Sequence, residues 1–559
     1  MEKNNFENVF EQRAEYLSVE ELEGWTKLTS REEGVVKKLM GPGAKLLVGP
    51  RGCGKSTLMR LAYFRLIESK ESIPVYVNYA RSLALEPFFH SRSDAIKVFR
   101  KWVVAKVLAG LGSTYEELGE EPGFYWRDAI DGATKFIKSL EIGAEANEVT
   151  FSWEAPSSLL DALERLCKER GVPRVVLLLD DAAHAFSSEQ QREFFEVFRE
   201  LRSKSVAPKA AVYPGITSYS PNFHVGHEAE VIEAWLGVDD PAYIKNMRTL
   251  VERRLPDTLK ARLVDKDDII DYLALAAFGL PRGFINMLSE VIGLEDDVSS
   301  SRPRAIAPKV VEGHIQSVMK IYSSLASKVP RLKNYVSFGE KGWRRVIGWL
   351  QEHNSRHPAG RKASVVGIAE PIPHNLERIL HMMEYAGLVR DSGSSSRGVM
   401  SFRRYQVHFA FLISENALAL GRNPAIKAVN DALASRDSQA IVRLRSSSIL
   451  NETELASCTL NLLPCAECGA PRAFPEQRFC MNCGKELRDG SVYLDLMKTP
   501  IDQLPLPKAK IEGIAKHTSL KTVHDILMDD EAQQLRKIPR VGAVWSKRIR
   551  TVADEFVSV

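Results

Sequence analysis

Long apolar runs are missing from this chain. No stretch approaches the roughly 18 uninterrupted apolar residues that a membrane-spanning helix needs, and the opening MEKNNFENVFEQRAEYL has no apolar core of the kind found in export signals. Neither membrane insertion nor secretion is expected, and the cytoplasm is the expected compartment. Low-complexity tracts and internal repeats are also missing. With 44% apolar and 26% charged residues, the composition is that of a chain that buries cores, not of a disordered or fibrous one. Cysteine is scarce, seven in 559 residues, and four of the seven crowd into 465–483. Clustered pairs without an export signal favour a metal over disulfides. No nuclease-type carboxylate cluster and no nucleophile triad is visible. The one close histidine pair, His224 and His227, lacks a third ligand and reads as turn chemistry.

Net charge is small, +4, but unevenly placed. Residues 301–410 carry 18 Lys/Arg against 7 Asp/Glu, which leaves the remainder net acidic. Such a local excess is the footprint of a polyanion-binding face, the alternative being a solvated basic surface. The length calls for several domains. Composition and motifs divide it into an N-terminal segment (1–35), a nucleotide-binding core (36–235), a helical lid (236–325), a basic middle domain (326–450), a cysteine-rich segment (451–490) and a basic tail (491–559).

The stretch AKLLVGPRGCGKSTLMRL carries the strongest signal. Ala44–Val48 reads as a buried strand, residues 49–56 fit G-x-x-x-x-G-K-[ST], and a helical pattern follows. In such a loop Gly49, Pro50, Arg51, Gly52, Cys53, Gly54, Lys55, Ser56 and Thr57 surround the phosphates of ATP. Lys55 reaches the β- and γ-phosphates and the Ser56 hydroxyl takes the Mg2+. VVLLLDD, from Val175, reads as a central parallel strand that delivers Asp180 to the same Mg2+ and Asp181 to the attacking water. Pro74–Asn78 and Ala210–Pro214 supply two more strands. Thr217 and Ser218 are either γ-phosphate sensors or ordinary turn residues. GLPR at 279–282 marks a helix break from which Pro281 and Arg282 face a bound nucleotide.

In the basic segment, amphipathic helices over 339–353 and 373–389 precede a two-stranded hairpin, the order of a winged helix. Arg390, Arg397, Arg403 and Arg404 are its candidate phosphate contacts on DNA, with protein contact as the alternative use. C-x2-C, eleven residues and C-x2-C place Cys465, Cys468, Cys480 and Cys483 as a structural Zn2+ site with no open coordination position. In the tail, LRKIPRVGAVWSKRIR (535–550) reads as two helices flanking a turn at Pro539–Gly542. Arg540, Gly542, Lys547 and Arg548, with Arg536, Lys537 and Arg550 around them, are candidate contacts to a DNA phosphate.

The phosphate loop, Val175–Asp181, Thr217/Ser218 and GLPR together resemble AAA+ ATPases of the origin-recognition initiator family, over about residues 35–420. The tail resembles a helix-hairpin-helix, although Arg540 stands where that turn usually has glycine. The resemblance implies an α/β P-loop AAA+ core with a helical lid, followed by winged helix, zinc ribbon and a small all-α helix-hairpin-helix domain. It implies Arg282 as a nucleotide sensor, and Lys55, Asp180, Asp181 and Thr217 as the catalytic set. The expected function is nucleotide-dependent DNA binding with slow ATP hydrolysis, in a homo-oligomer or a complex with an effector protein. Two departures stand out. Asp181 replaces the family's usual glutamate and is one methylene shorter, a difference that slows hydrolysis. Paired aspartates with a G-L-P turn are similar to STAND signalling ATPases, which makes an ATP switch coupled to an effector, for example in antiviral defence, the alternative. Arg253 and Arg254 are the candidate arginine fingers by position alone.

Overall fold

The computed structural model describes residues 9–557, apart from 12, 80–93, 142–150, 152, 154, 183–187, 293–302, 358–361, 435–439, 475–476, 478, 488–491 and 540. It is a mixed α/β structure of two compact units. One comprises Glu11–Gly49 and Cys53–Trp235. The other comprises Pro50–Gly52 and Leu236–Phe556, with Met1–Phe10.

The N-terminal unit is built on a five-stranded, all-parallel sheet: β1 (Lys45–Val48), β2 (Ile73–Asn78), β3 (Val175–Asp180), β4 (Val206–Val212) and β5 (Glu230–Glu233), in the order β2-β3-β4-β1-β5. Every residue of β3 and β4 is buried, as expected for central strands covered on both faces. The helix Ala95–Leu118 is apolar nearly all round and lies against β2. There Gly110 has no room for a side chain, since a Cβ would stand 2.7 Å from the Tyr76 carbonyl oxygen, and the Thr114 hydroxyl donates to the Pro74 carbonyl at 2.6 Å. β4 starts four residues before the predicted strand because SVAPKAAV carries a lysine in its middle. Lys209 is nonetheless fully buried, its Nζ bonded to the carbonyls of Gly41 (2.8 Å) and Gly43. β5 escapes the sequence pattern because only Ile232 of its four residues is buried, as suits a charged edge strand.

In the C-terminal unit, helices Asp267–Ala277 and Pro281–Ile292 meet at Phe278 and Gly279, both left-handed (φ 56° and 79°), which places the predicted break correctly. The long helices Pro303–Lys328 and Lys333–Arg356 follow. Next come β6 (Val365–Ala369), helix His374–Ala386, the hairpin β7 (Val389–Arg397) and β8 (Met400–Val407), and β9 (Ile441–Leu444), in sheet order β7-β8-β6-β9. The two helices and the hairpin were expected; the short strands β6 and β9 were not. In the tail, the first helix flanking the turn is only a 3-10 turn, Leu535–Lys537, while the second is the full helix Ala543–Val557.

Two buried imidazoles lie together in this unit. The rings of His314 and His408 are 5.6 Å apart, and each Nε2 lacks a hydrogen-bond partner, while His408 Nδ1 accepts from the Ala410 amide at 3.2 Å. Burial, and then the Arg548 charge, push His314 down to about 4; burial and the neighbouring His314 push His408 well below its usual value. The folded state therefore binds fewer protons than the unfolded chain below about pH 6.5, so stability is complete above that pH and is lost as pH falls toward 4. At pH 5.5 each histidine is expected to cost about 1.4 kcal/mol. Urea unfolding at pH 7.5 and 5.5, compared between wild type and a His314→Gln/His408→Asn variant, checks this. The wild type should lose about 3 kcal/mol more than the variant over that interval.

Candidate nucleotide-binding site and thiolate cluster

The loop from Gly49 to Gly54 joins β1 to the helix Lys55–Ser69. Gly52 and Gly54 sit at φ 81° and 97°, the left-handed region in which a side chain is strained; alternation of this kind turns successive amides toward one concavity. Lys55 opens the helix and is buried. Its Nζ donates to the Gly49 carbonyl at 2.8 Å and stands 3.7 Å from the centre of the Tyr213 ring. Cys53 is buried beside Gly49, and burial raises its thiol pKa. The Arg51 amide is already engaged, donating to the Tyr385 carbonyl at 3.2 Å.

Asp180 ends β3 with no exposed surface. Its carboxylate accepts from the Tyr76 hydroxyl at 2.8 Å, from the Asp181 amide at 3.0 Å, and from the Ser56 hydroxyl. Burial, and then the charge of Asp181, push its pKa up to about 7 against the pull of those bonds. Asp181 adopts a left-handed backbone, φ 52°, and its carboxylate accepts from the Tyr213 hydroxyl at 2.7 Å. The strand order explains why these groups meet. β4 lies between β1 and β3, so Tyr213, just past its end, stands between the residues that follow the other two and touches both Lys55 and Asp181.

Thr217 is bound up in its own turn: its hydroxyl donates to the Tyr213 carbonyl at 2.9 Å and accepts from the Tyr213 amide at 3.0 Å. The Ser218 amide donates to Gln191 Oε1 at 2.6 Å. Of the two roles open for Thr217, the structure shows the turn. Pro281 opens the helix Pro281–Ile292, and Arg282 follows it with its side chain over Gly52, where an added Cβ would lie 3.2 Å from Arg282 Cβ. Arg282 and Arg51 both pair with Glu555. Arg254 bonds to the Val9 carbonyl, and Arg253 shares the last turn of its helix.

The residues present suit a magnesium-bound polyphosphate. Ser56 and Asp180 already share a hydrogen bond at the place a divalent ion would join them, and the buried, two-carboxylate surroundings of Asp180 favour a cation. Lys55 and the residues of the turn through Thr57 would hold phosphate oxygens. Tyr76, Tyr213 and Gln191 were not singled out from sequence. A phenol inside an otherwise apolar strand, as in PVYVN, is the signal that could have found the first.

Cys465, Cys468, Cys480 and Cys483 come together with all four sulfurs within 4.8 Å, the only such group among the described residues. Sγ–Sγ separations of 3.6 Å (Cys465–Cys483) and 3.5 Å (Cys468–Cys480) are far longer than a disulfide and close to the edge of a tetrahedron with metal–sulfur bonds of about 2.3 Å. Each pair sits on the same turn. The Gly469 amide donates to the Cys465 carbonyl and the Gly484 amide to the Cys480 carbonyl, at 2.8 and 2.9 Å, with both glycines left-handed. His224 and His227 are exposed on a turn closed by the His227 amide and the His224 carbonyl.

The candidate DNA contacts divide. Arg397, Arg536, Lys537 and Lys547 are exposed. Arg390 is not: it is buried and paired with Asp239 at 2.9 Å, which removes it from the candidate surface. Arg403 is paired with Asp391, and Arg404 is bonded to the Ser392 carbonyl at 2.6 Å, so both brace the hairpin. Arg548 pairs with Glu290 (3.3 Å) and stacks 4.3 Å from the Trp545 ring, and Arg550 bonds to the Leu527 carbonyl. The Gly542 carbonyl accepts from the Ser546 amide, and Arg540 lies outside the described residues. The basic excess of 301–410 is also partly offset from outside the segment: Arg304 pairs with Asp268 and Arg345 with Glu454.

Elemental analysis of the purified chain is expected to find one zinc per molecule, lost in a Cys465→Ser/Cys480→Ser variant; zinc-free wild type at neutral pH would reject the assignment. No family model matches the chain, and no curated protein matches it.

Proposed function

We propose that the chain is an ATP-binding, slowly hydrolysing ATPase of the AAA+ kind that holds DNA in a nucleotide-dependent way. One arrangement carries the reading: Lys55, Ser56, Asp180, Asp181 and Tyr213 converge at the ends of three adjacent parallel strands, on a loop whose glycines take left-handed angles. In this reading Lys55 exchanges its bond to the Gly49 carbonyl for phosphate oxygens, Ser56 and Asp180 hold Mg2+, and Asp181 orients the water. The magnesium supplies charge neutralisation for the transferring phosphoryl group. Turnover is slow because aspartate is short and Asp181 is held by Tyr213.

The DNA-binding part of the proposal rests on the helix–helix–hairpin order, used as a winged helix, with the zinc ribbon and tail as a second hold. The surviving exposed cations are Arg397 on the hairpin and Arg536, Lys537 and Lys547 in the tail. The second helix, His374–Ala386, has little with which to read bases: Asn375 is tied to Tyr335 and to the Leu455 carbonyl, and Arg378 lies over the Tyr335 ring. Contacts to the phosphate backbone, without sequence reading, are the mode these residues support. One observation favours the alternative of an ATP switch signalling to an effector: Asp181 and Arg282 are each engaged by another side chain, as suits a held state more than rapid turnover.

ATP hydrolysis with and without duplex DNA tests both readings. Slow hydrolysis that DNA changes, and DNA binding that weakens steeply with salt, are expected of the first. Lys55→Ala should abolish both hydrolysis and the effect of ATP on DNA affinity. Asp181→Asn should retain ATP while slowing hydrolysis about a hundredfold. DNA binding by Lys55→Ala that equals wild type with ATP and without it would reject the proposal.

A further inference from the structure

Glu555 lies in the last turn of the helix Ala543–Val557, where the helix dipole disfavours a carboxylate and no basic residue is present. Something other than local helix energetics keeps it there. Its carboxylate receives Arg51 at 2.9 Å and Arg282 at 2.9 and 3.1 Å, and Arg51 also donates to the Glu555 carbonyl at 3.3 Å. All three side chains are mostly buried, and the three residues belong to one compact unit. A third cation is near: Lys328 is buried with its Nζ 4.8 Å from the Phe556 ring, and the Arg51 charge adds to burial in lowering its pKa. One carboxylate thus answers more positive charge than it can neutralise.

The same helix is anchored toward its other end, where Arg548 pairs with Glu290. Glu555 meets Arg282 near the start of Pro281–Ile292 and Arg548 meets Glu290 near its end, so the two helices run antiparallel. The position of Glu555 is therefore set by two ion pairs, not by a loose chain end. Guanidinium groups that grip a carboxylate through paired N–H donors present the same donors to a phosphate, which brings more charge and more acceptors. Arg51 is part of the phosphate loop itself, and Arg282 packs over Gly52 of that loop.

We propose that Glu555 is an internal anion that keeps Arg51 and Arg282 from nucleotide phosphate, so that the C-terminal helix and the nucleotide compete for the same two guanidinium groups. The inference rests on the nucleotide-binding reading above and adds to it a built-in inhibitor. It also gives that reading a route from nucleotide to DNA, because Lys547 is exposed on the same helix: what displaces one end alters what the other presents. By linkage, a ligand that draws the helix away must tighten nucleotide binding by the same factor by which nucleotide tightens it.

The test is titration of the full chain with a fluorescent ATP analogue and Mg2+. Glu555→Gln is expected to bind at least about tenfold more tightly than wild type, equivalent to about 1.4 kcal/mol, with Glu555→Asp closer to wild type. Equal or weaker binding by Glu555→Gln, with binding abolished in Lys55→Ala, overturns the competition and leaves the nucleotide reading standing. Absence of binding in both wild type and folded Glu555→Gln overturns the two together. Amide exchange in wild type decides independently of any variant: exchange within 543–557 should rise at saturating Mg-ATP, and unchanged or slower exchange there overturns the proposal.

Discussion

A carboxylate with no exposed surface, set against a second carboxylate, is the constraint around which the N-terminal unit is arranged. Asp180 is placed there by β3, whose every residue is buried, and it is tolerated only because Tyr76, Ser56 and the Asp181 amide donate to it. Even so its pKa is pushed up to about 7. Two apolar residues in place of the aspartates would be easier to bury. A site that keeps a poorly compensated pair next to a glycine-rich loop and a buried lysine has the electrostatics of a cation site. That inference from physical chemistry stands apart from any resemblance in sequence.

The C-terminal unit shows the opposite imbalance. Its basic surplus is drawn down by ion pairs that the linear count does not reveal: Arg304 with Asp268, Arg345 with Glu454, Arg390 with Asp239. Charge counted along a chain overstates charge presented on a surface whenever folding brings in acids from other segments. What is left outward is modest and spread over the hairpin and the tail, which fits backbone contact better than a base-reading helix. Inside the unit the surplus is concentrated at Arg51, Arg282 and Lys328, where Glu555 supplies the opposing charge.

Much of this was legible in the sequence, and the exceptions have physical causes. Strands buried on both faces announce themselves as apolar runs, and β1 and β3 were found within a residue of their observed ends. The thiolate cluster was equally plain, because two C-x2-C turns bring four sulfurs together with little help from the rest of the fold. β4 was misplaced because Lys209 looks like a surface residue until two backbone carbonyls are found waiting for it. β5, β6 and β9 are short, and a four- or five-residue segment carries too little pattern. Capping boxes at Ser18–Glu21 and Thr29–Glu32, by contrast, were readable as helix starts and mark two helices in the segment left unassigned. The partners Tyr213 and Glu555 had no signal, because each is defined by strand order or by a contact hundreds of residues away.

Tyr213 bears on the question of rate. A residue that orients water needs its free lone pairs aimed at the reacting centre, and Asp181 already has one oxygen engaged by the Tyr213 hydroxyl at 2.7 Å. The same ring lies 3.7 Å from Lys55 Nζ, so a shift of Lys55 toward a phosphate also disturbs the face on which the tyrosine rests. Under the proposed reading, tyrosine, lysine and aspartate change together or not at all. Coupling of that kind suits a protein whose bound nucleotide sets a state, and it makes the short aspartate a consistent part of the design: water is positioned only after Tyr213 has yielded its hold, a step added before chemistry, not a defect within it.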